Sequence, residues 1–404
     1  MNILALSQIY WPDTASVSQH LTDLLEELAS RGHNVNVISS QIDYENPQIK
    51  FKRKEDRNNV KIMRVPITRF GKKNKVSRLI DFLSFNVMLL IKLMFYPRHK
   101  IDVILGLTAP PLVSYIGAKY ARATEKKFIY WTMDLQPELS IVAGYIQKQS
   151  GTAKSLEKKG DYIFRNSNLI VTLDKYMSDH IQKRVDRQEG LVIIPVWPVM
   201  GEIYNGLRLN NPFRVNNNFS DKIVVMYSGN HSVMHPLTTL LDAAVSLRDD
   251  SRFLFVHIGS GVRLQEVKDY KINYDLANIV ILPYQPRDSI HYSLGSADIQ
   301  VVSLGDGCVG FTHPNKVYGA MFIGKPILYI GPRPSHITDI LDDCADNISV
   351  EHGDSNELVS RLLLFAELDQ QSRDEIGNNN RKYAEKYFRP STLIDQIVSA
   401  IEAM

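Results

Sequence analysis

The chain has 404 residues, 44% of them hydrophobic and 23% charged, with ordinary glycine and proline usage. Disordered and fibrous classes are excluded, and two or three packed domains are expected at ~150 residues each. The net charge of +3 hides a polarity, because residues 1–200 hold 29 Lys and Arg against 19 Asp and Glu, a balance of +10, and the remainder carries −7.

A basic half of this size favours an anionic partner: a membrane surface, a diphosphate or nucleic acid. Nucleic acid is the weakest choice, since there is no zinc-finger spacing, RNP-type aromatic stretch or basic zipper. Two cysteines, Cys308 and Cys344, are too few for a disulfide framework and have no Cys or His nearby at metal-ligand spacing. No cluster of carboxylates or histidines suggests a metal site either, and none is expected. The opening apolar residues Ile3 to Leu6 run straight into polar and turn residues, so no signal peptide is expected and the chain is placed in the cytosol.

In chain order, NILALS at 2–7 reads as a strand, a loop follows through Tyr10 to Asp13, and a helix over about 16–30 carries Leu21, Leu24, Leu25 and Leu28 on one face. Further strands fit 34–39, 61–65, 103–107, 127–131 and 168–172, separated by helix-length segments, which is the pattern of a doubly wound parallel sheet. Between them, Leu79 to Tyr96 is the nearest approach to a membrane span, but Asp81 and Lys92 leave only ten uncharged residues of the ~20 required. With Lys72, Lys73, Lys75 and Arg78 before it, this apolar segment suits the interface of an anionic membrane, each charge adding ~1 kcal/mol. A buried crossover helix with basic ends is the alternative.

Pro195, Pro198 and the Asn-rich stretch after Leu209 mark a boundary, giving one domain over 1–200 and a second over 206–388. The strand-helix pattern restarts with KIVVMY at 222–227 and continues through 253–258, 279–282, 299–303, 327–330 and 348–350. After Phe388-Arg389-Pro390 an amphipathic helix with Leu393, Ile394, Ile397 and Ile401 is expected to pack back on the first domain. The fold class is therefore α/β, two Rossmann-like doubly wound domains.

Ligands of open parallel sheets sit outside the carboxyl ends of the strands, so the loops there carry the chemistry. Gly229, Asn230, His231 and His235 follow the first strand of the second domain; a turn glycine and a capping histidine are the alternative reading. Gly259 and Gly261 form a GxG after the next strand, without the third glycine and acidic residue of a dinucleotide site. The third loop, GDGCVGFTHPNK at 305–316, brings Gly310, Phe311, Thr312 and His313 to a helix whose first turn holds Lys316. A lysine there opposes the helix dipole and costs stability unless an anion is near. In the first domain Asp134 and Glu138 sit just beyond the strand ending in Tyr130-Trp131, where Asp134 is placed to orient or deprotonate a hydroxyl. Asp13, Ser16 and Ser18 line the first strand-helix loop, as substrate contacts or as a helix cap.

The chain resembles the GT-B retaining glycosyltransferases of family 4, particularly the branch building bacterial capsule, O-antigen and exopolysaccharide. The resemblance rests on the opening 38 or so residues, on MDLQPE at 133–138, on YSGNHSVMHPLTTLLDAA at 227–244 and on HPNKVYGAMFIGKPIL at 313–328, in that order. It implies a nucleoside-diphosphate sugar as co-substrate and no resident cofactor. Its donor site would comprise Gly229, Asn230, His231, His235, Gly259, Gly261, Tyr284, Gly310, Phe311, Thr312, His313 and Lys316. Asp13, Ser16, Ser18 and Asp134 would meet the acceptor, and Asp134, Glu138 and Lys316 would carry the chemistry. Many members place a Glu-x7-Glu pair where this chain has Phe311 and Gly319, and an Arg and a Lys where it has Asn230 and His235. The implied activity is sugar transfer to a lipid-linked acceptor by an enzyme peripheral to the inner face of the cell membrane. An epimerase of the same architecture and a silent nucleotide-sugar-binding protein are the rival readings.

Overall fold

Continuous runs of Val, Ile and Leu need burial on both faces, and in the computed structural model those of the first third lie side by side in one parallel sheet. The structure describes residues 1–44, 46–71, 75–110, 112–187, 189–198, 210–219 and 221–404, with the side chains of 75, 76, 78 and 287 left out. The chain divides into two units: Met1–Val196 with Gly310–His313 and Pro390–Met404, and Trp197–Val309 with Pro314–Arg389. Residues 310–313, expected in the second domain, thus group with the first.

The first unit is built on β1 (Asn2–Leu6), β2 (Asn34–Ser40), β3 (Lys54–Arg57), β4 (Val60–Val65), β5 (Val103–Gly106), β6 (Lys127–Trp131), β7 (Leu169–Thr172) and β8 (Leu191–Ile193), in spatial order β3-β4-β2-β1-β5-β6-β7-β8. Only β3 is antiparallel to its neighbour. It joins β4 through Asn58 and Asn59, both at positive φ, the backbone that a two-residue hairpin requires. Helix Ser16–Ser30 buries Leu21, Leu24, Leu25 and Leu28. Against it packs Pro390–Glu402, burying Leu393, Ile397, Val398 and Ile401, with Arg31 paired to Asp395 and His33 Nε2 2.9 Å from Glu402.

Helix Lys75–Met94 shows two faces. Asp81, Phe85, Leu89 and Leu93, four residues apart, are buried, and the Asp81 carboxylate is turned inward to accept from the Thr68 hydroxyl and the Phe70 and Gly71 amides. On the other side Leu79, Leu83, Val87, Leu90 and Met94 are exposed, followed by Phe95 at 80%. Among the described residues no helix is long and apolar enough to cross a membrane.

The second unit carries β9 (Ile223–Ser228), β10 (Phe253–Ile258), β11 (Ile279–Leu282), β12 (Ile299–Ser303), β13 (Ile327–Ile330) and β14 (Ile348–Val350), all parallel, in the order β11-β10-β9-β12-β13-β14. This is the 3-2-1-4-5-6 order of a Rossmann sheet. Alternate residues of β9 serve two core layers, Val225 and Tyr227 on one face, Val224 and Met226 on the other. At the amino end of the sheet the buried Asp298 accepts from Arg214 at 3.1 Å and from the Val224 amide at 2.8 Å. That pair anchors the chain entering the unit and stands at the end of the sheet remote from the ligand loops.

Candidate active site

In the second unit strand order reverses between β9 and β12, so the loops leaving these strands define the crevice where open α/β sheets take ligands. Lys316 opens helix Lys316–Phe322 there, on a terminus with no side-chain cap. Its ammonium lies 5.1 Å from the centre of the Tyr227 ring, and a Cβ on Gly229 would come within 2.6 Å of its Cε. Only a glycine, here at φ +132°, admits the lysine stem at this point. No carboxylate pairs with Lys316 among the described residues, and burial pulls its pKa down to about 8.

His231 and His235 lie near this lysine, the His257 ring lies 5.6 Å from that of His231, and all three are held neutral. Burial and then the Lys316 charge lower His235 to about 3, and burial, partly offset by its bond to Gly229, lowers His231 to about 4. His257 on β10 falls to about 3 by burial, and neither of its ring nitrogens has a partner among the described residues. His235 Nδ1 lies 2.6 Å from the Ser303 carbonyl, which can only accept, so Nδ1 carries the proton and Nε2 offers a lone pair. His235 therefore supplies no N–H to a phosphate at neutral pH.

Backbone amides of the glycine loops are engaged within the unit. Gly229 N donates to Ile258 O at 2.9 Å, Gly259 N to Leu282 O at 2.9 Å and His231 N to Ser260 O at 2.8 Å. These three donors are taken up by carbonyls of neighbouring strands and loops, which leaves the Lys316 ammonium as the positive charge on this side. Gly259 and Gly261 allow backbone to meet backbone: a Cβ on Gly259 would stand 2.2 Å from Gly229 O, and one on Gly261 2.5 Å from Asn230 Oδ1. Tyr284, half-exposed, lies over Gly259 with a ring carbon 3.1 Å from that same Cβ position. Asn230 is exposed at the lip of the loop.

In the first unit Asp134 follows β6 and is half-buried, lining a pocket with Leu107, Tyr115, Tyr130, Gln136 and Lys159. Burial raises its pKa, opposed by the Thr312 hydroxyl, which donates to Oδ1 at 2.7 Å, and by His313. The whole segment 310–313 is fastened here. Leu135 N donates to Phe311 O at 2.8 Å, the Phe311 ring meets His180 edge-on at 4.9 Å, and His313 Nδ1 lies 2.8 Å from Asp174. Gly310 is pressed on the backbone of Tyr176, 2.9 Å from where its Cβ would be. Gly310, Phe311, Thr312 and His313, expected at the donor, group with the first unit and touch the loop that carries Asp134. Phe311, where the resemblance would place a carboxylate, presents an apolar ring to His180.

Glu138, expected to share the chemistry, is engaged. Burial alone would raise its pKa, but the bond to His180 at 3.1 Å and the charge of Arg184 reverse that and hold it low. Arg184 in turn binds Asp161 at 2.6 Å and the Glu157 carbonyl at 2.6 Å. Glu138 is an anchor for the loop that presents Asp134. Asp13 is buried after β1, accepts from the Tyr44 amide at 2.8 Å, and is raised to about 7 by burial and by a shared hydrogen bond with Asp43. Ser16 contacts His20 Nδ1 at 3.2 Å, and Ser18 is fully buried with its hydroxyl unpartnered among the described residues. Lys72 and Lys73 lie outside the described residues, as do the side chains of Lys75 and Arg78.

No family model matches the chain. It is 24% identical over 271 residues, 67% of its own length and 68% of the relative's, to WbjE of Pseudomonas aeruginosa, named as a glycosyltransferase. Over 342 residues, 80% of this chain and 82% of the other, it is 23% identical to WcaI of Escherichia coli, whose name assigns it to colanic acid biosynthesis as a glycosyl transferase. The structure of Anabaena HepE in complex with UDP-glucose superposes with a TM-score of 0.70 over 100% of this chain and 99% of that one, at 15% identity. The chain has the fold of the GT-B structures and is similar to relatives named as glycosyltransferases.

Residues that sequence reading did not single out stand beside these candidates. His180 and Arg184 stand four apart on helix Lys175–Val185, one face of which meets Glu138. That i, i+4 basic pair was the available signal. His257, alone on an apolar strand, offered none.

Proposed function

We propose that the protein transfers a sugar from a nucleoside-diphosphate donor to a lipid-linked acceptor in surface polysaccharide synthesis, working at an anionic membrane face. The observation that carries this reading is Lys316, an ammonium without a carboxylate partner among the described residues, seated against Gly229 at the switch point of a Rossmann sheet. As the bond from the sugar carbon to the diphosphate oxygen breaks, the electron pair stays on that oxygen, and Lys316 is the charge provided to meet it. Its lowered pKa also lets it pass a proton to the leaving oxygen. Tyr284 offers a flat ring over Gly259 for the base. Asp134 is assigned the acceptor hydroxyl, whose proton it accepts as that oxygen bonds to the sugar carbon on the face from which the diphosphate departs, so that configuration is retained as in the family. WcaI's name and the UDP-glucose held by HepE support the donor class and the pathway class.

A thermal-shift screen of UDP-, GDP- and ADP-sugars tests the donor assignment: one of them is expected to raise the melting temperature, since a ligand binding only the folded state must stabilise it. No shift from any of the three contradicts the proposal. Binding without transfer to any lipid-linked acceptor supports the silent-protein alternative.

The membrane assignment draws on the exposed face of helix Lys75–Met94, continuous from Leu79 to Met94, with basic Arg98 and Lys100 exposed beyond it. Such a face buried in the acyl boundary gains ~1.5–3 kcal/mol per large side chain. Leu83→Glu with Val87→Glu is expected to reduce binding to vesicles containing anionic phospholipid by at least ~tenfold with the fold unchanged, because both side chains already face solvent. Unaltered sedimentation with vesicles would return the helix to a purely structural role.

A further inference from the structure

Two groups oppose the effect of burial on the Asp134 carboxyl, the Thr312 hydroxyl and His313, and both belong to the segment 310–313, which lies outside every strand and helix. Whatever holds that segment therefore decides how Asp134 is aimed and how readily it ionises. Helix Lys175–Val185 and its N-cap Asp174 hold it at three points. Asp174 meets His313 Nδ1 at 2.8 Å, the Tyr176 backbone closes on Gly310, and the His180 ring meets the Phe311 ring edge-on with centres 4.9 Å apart. The third contact falls on the residue just before Thr312. The carbonyl of that same residue accepts from Leu135 N at 2.8 Å, beside Asp134.

His180 also reaches the chain on the other side of Asp134. Its Nε2 lies 3.1 Å from Glu138 Oε1, and because an ionised carboxylate can only accept, Nε2 carries the proton. Glu138 opens helix Glu138–Val142, directly after the loop that presents Asp134. Its second partner, Arg184, stands one turn beyond His180 on the same helix face and spends its other donors on Asp161 and the Glu157 carbonyl. His180 thus touches both arms that bracket Asp134, through its ring on one side and its N–H on the other. The remaining ionisable groups about Asp134 are Tyr130 on β6 and, lining the same pocket, Tyr115 and Lys159; none lies on the segment 310–313.

We propose that His180 is a positioning residue for Asp134, holding the segment that carries Thr312 with its ring and the end of the Asp134 loop with its Nε2–H. Its effect on rate rests on the assignment of Asp134 to the acceptor hydroxyl; its effect on the carboxyl itself does not. His180 meets no reacting atom. Its ring keeps the Thr312 hydroxyl 2.7 Å from Asp134 Oδ1, and its N–H keeps the turn after Asp134 from swinging away. Loss of either link lets the hydroxyl and the carboxylate drift apart, and a displacement of ~1 Å at a reacting group costs up to ~100-fold in rate.

Carboxyl ¹³C NMR of the full chain carrying labelled aspartate tests this without any substrate, the Asp134 resonance being the one lost in Asp134→Asn. In His180→Ala its titration midpoint is expected to move to higher pH, because the Thr312 bond and the His313 charge that favour the ionised form both weaken. Transfer should fall in kcat by about ten- to a hundredfold, with the thermal shift from a UDP-sugar unchanged. His180→Gln keeps an N–H for Glu138 and His180→Phe keeps a ring for Phe311, so each should titrate between the unaltered protein and His180→Ala, and both guard against a misfolded alanine variant. In a Thr312→Val background the shift from His180→Ala should shrink, since the bond it protects is already gone. An unmoved Asp134 midpoint in His180→Ala, or a shift that adds in full to that of Thr312→Val, overturns the proposal. If Asp134→Asn leaves transfer intact while His180→Ala moves the midpoint, the base assignment falls and the positioning role stands. If Asp134→Asn abolishes transfer while the midpoint ignores His180, the base stands and the positioning role falls.

Discussion

Replacing Lys316 with Met is expected to lower transfer by about two to three orders of magnitude, the loss typical of removing one stabilising group from a developing anion. At the same time the ligand-free protein should become more stable. An ammonium held at about 8, against 10.5 for a free lysine, is a folded-state cost that is fully present below pH 8. Between pH 8 and 10.5 the unfolded chain binds more protons than the folded one, so stability rises with pH across that window. Met keeps the stem against Tyr227 and removes the charge, for a gain on the order of 2 kcal/mol, discounted for the partial exposure of the side chain. A function bought with stability is common at binding sites. Titration calorimetry with UDP at pH 7 and pH 9 checks the other half: affinity of the unaltered protein should fall as pH climbs through 8, and the Met variant should be weak at both. Equal UDP affinity in the two proteins would remove Lys316 from the site.

Lysine at the start of a helix was legible because it contradicts the local dipole, and a residue that breaks a local rule without a neighbour to explain it points outward to a ligand. The parallel strands were legible for the opposite reason: β-branched runs such as those of β1, β2 and β9 satisfy propensity and burial together. Lys54–Arg57 escaped because its four residues are all charged and it lies at an antiparallel edge, where burial imposes no apolar pattern. The Asn58-Asn59 pair was its only trace. Leu191–Ile193 escaped because it is short and the prolines just after it read as a boundary.

The fate of residues 310–313 was out of reach for a different reason. Thr312 and Asp134 are 178 residues apart in the chain, and no local pattern in a glycine-rich loop states which strand edge it will meet. The resemblance places the loop at the donor, yet Gly310 is needed for contact with the Tyr176 backbone. Likewise an Asp and a Glu four apart at a strand end look equivalent, and only the partners Arg184 and His180 separate the anchored Glu138 from Asp134.

That separation sets the second large effect. Asp134→Asn is expected to cut kcat by about 10²- to 10⁴-fold, the usual share of general-base catalysis, while leaving UDP affinity as it was. Asparagine retains the bond from Thr312 and the shape of the cavity, so a loss of rate reflects loss of the base. The pH profile distinguishes this role from a structural one. A base works only when ionised, and burial raises the pKa of Asp134, so kcat/KM should climb on the acid side through that elevated value. Deprotonation of Lys316 should bring it down again near pH 8, giving a bell. Thr312→Val removes a hydrogen bond that favours the ionised carboxylate. Its pKa must then rise further, and the acid limb should move to higher pH while the alkaline limb stays in place. A Thr312→Val profile that drops at all pH values without moving would mean that the hydroxyl only holds the loop, and that Asp134 is not the group whose titration the rate follows.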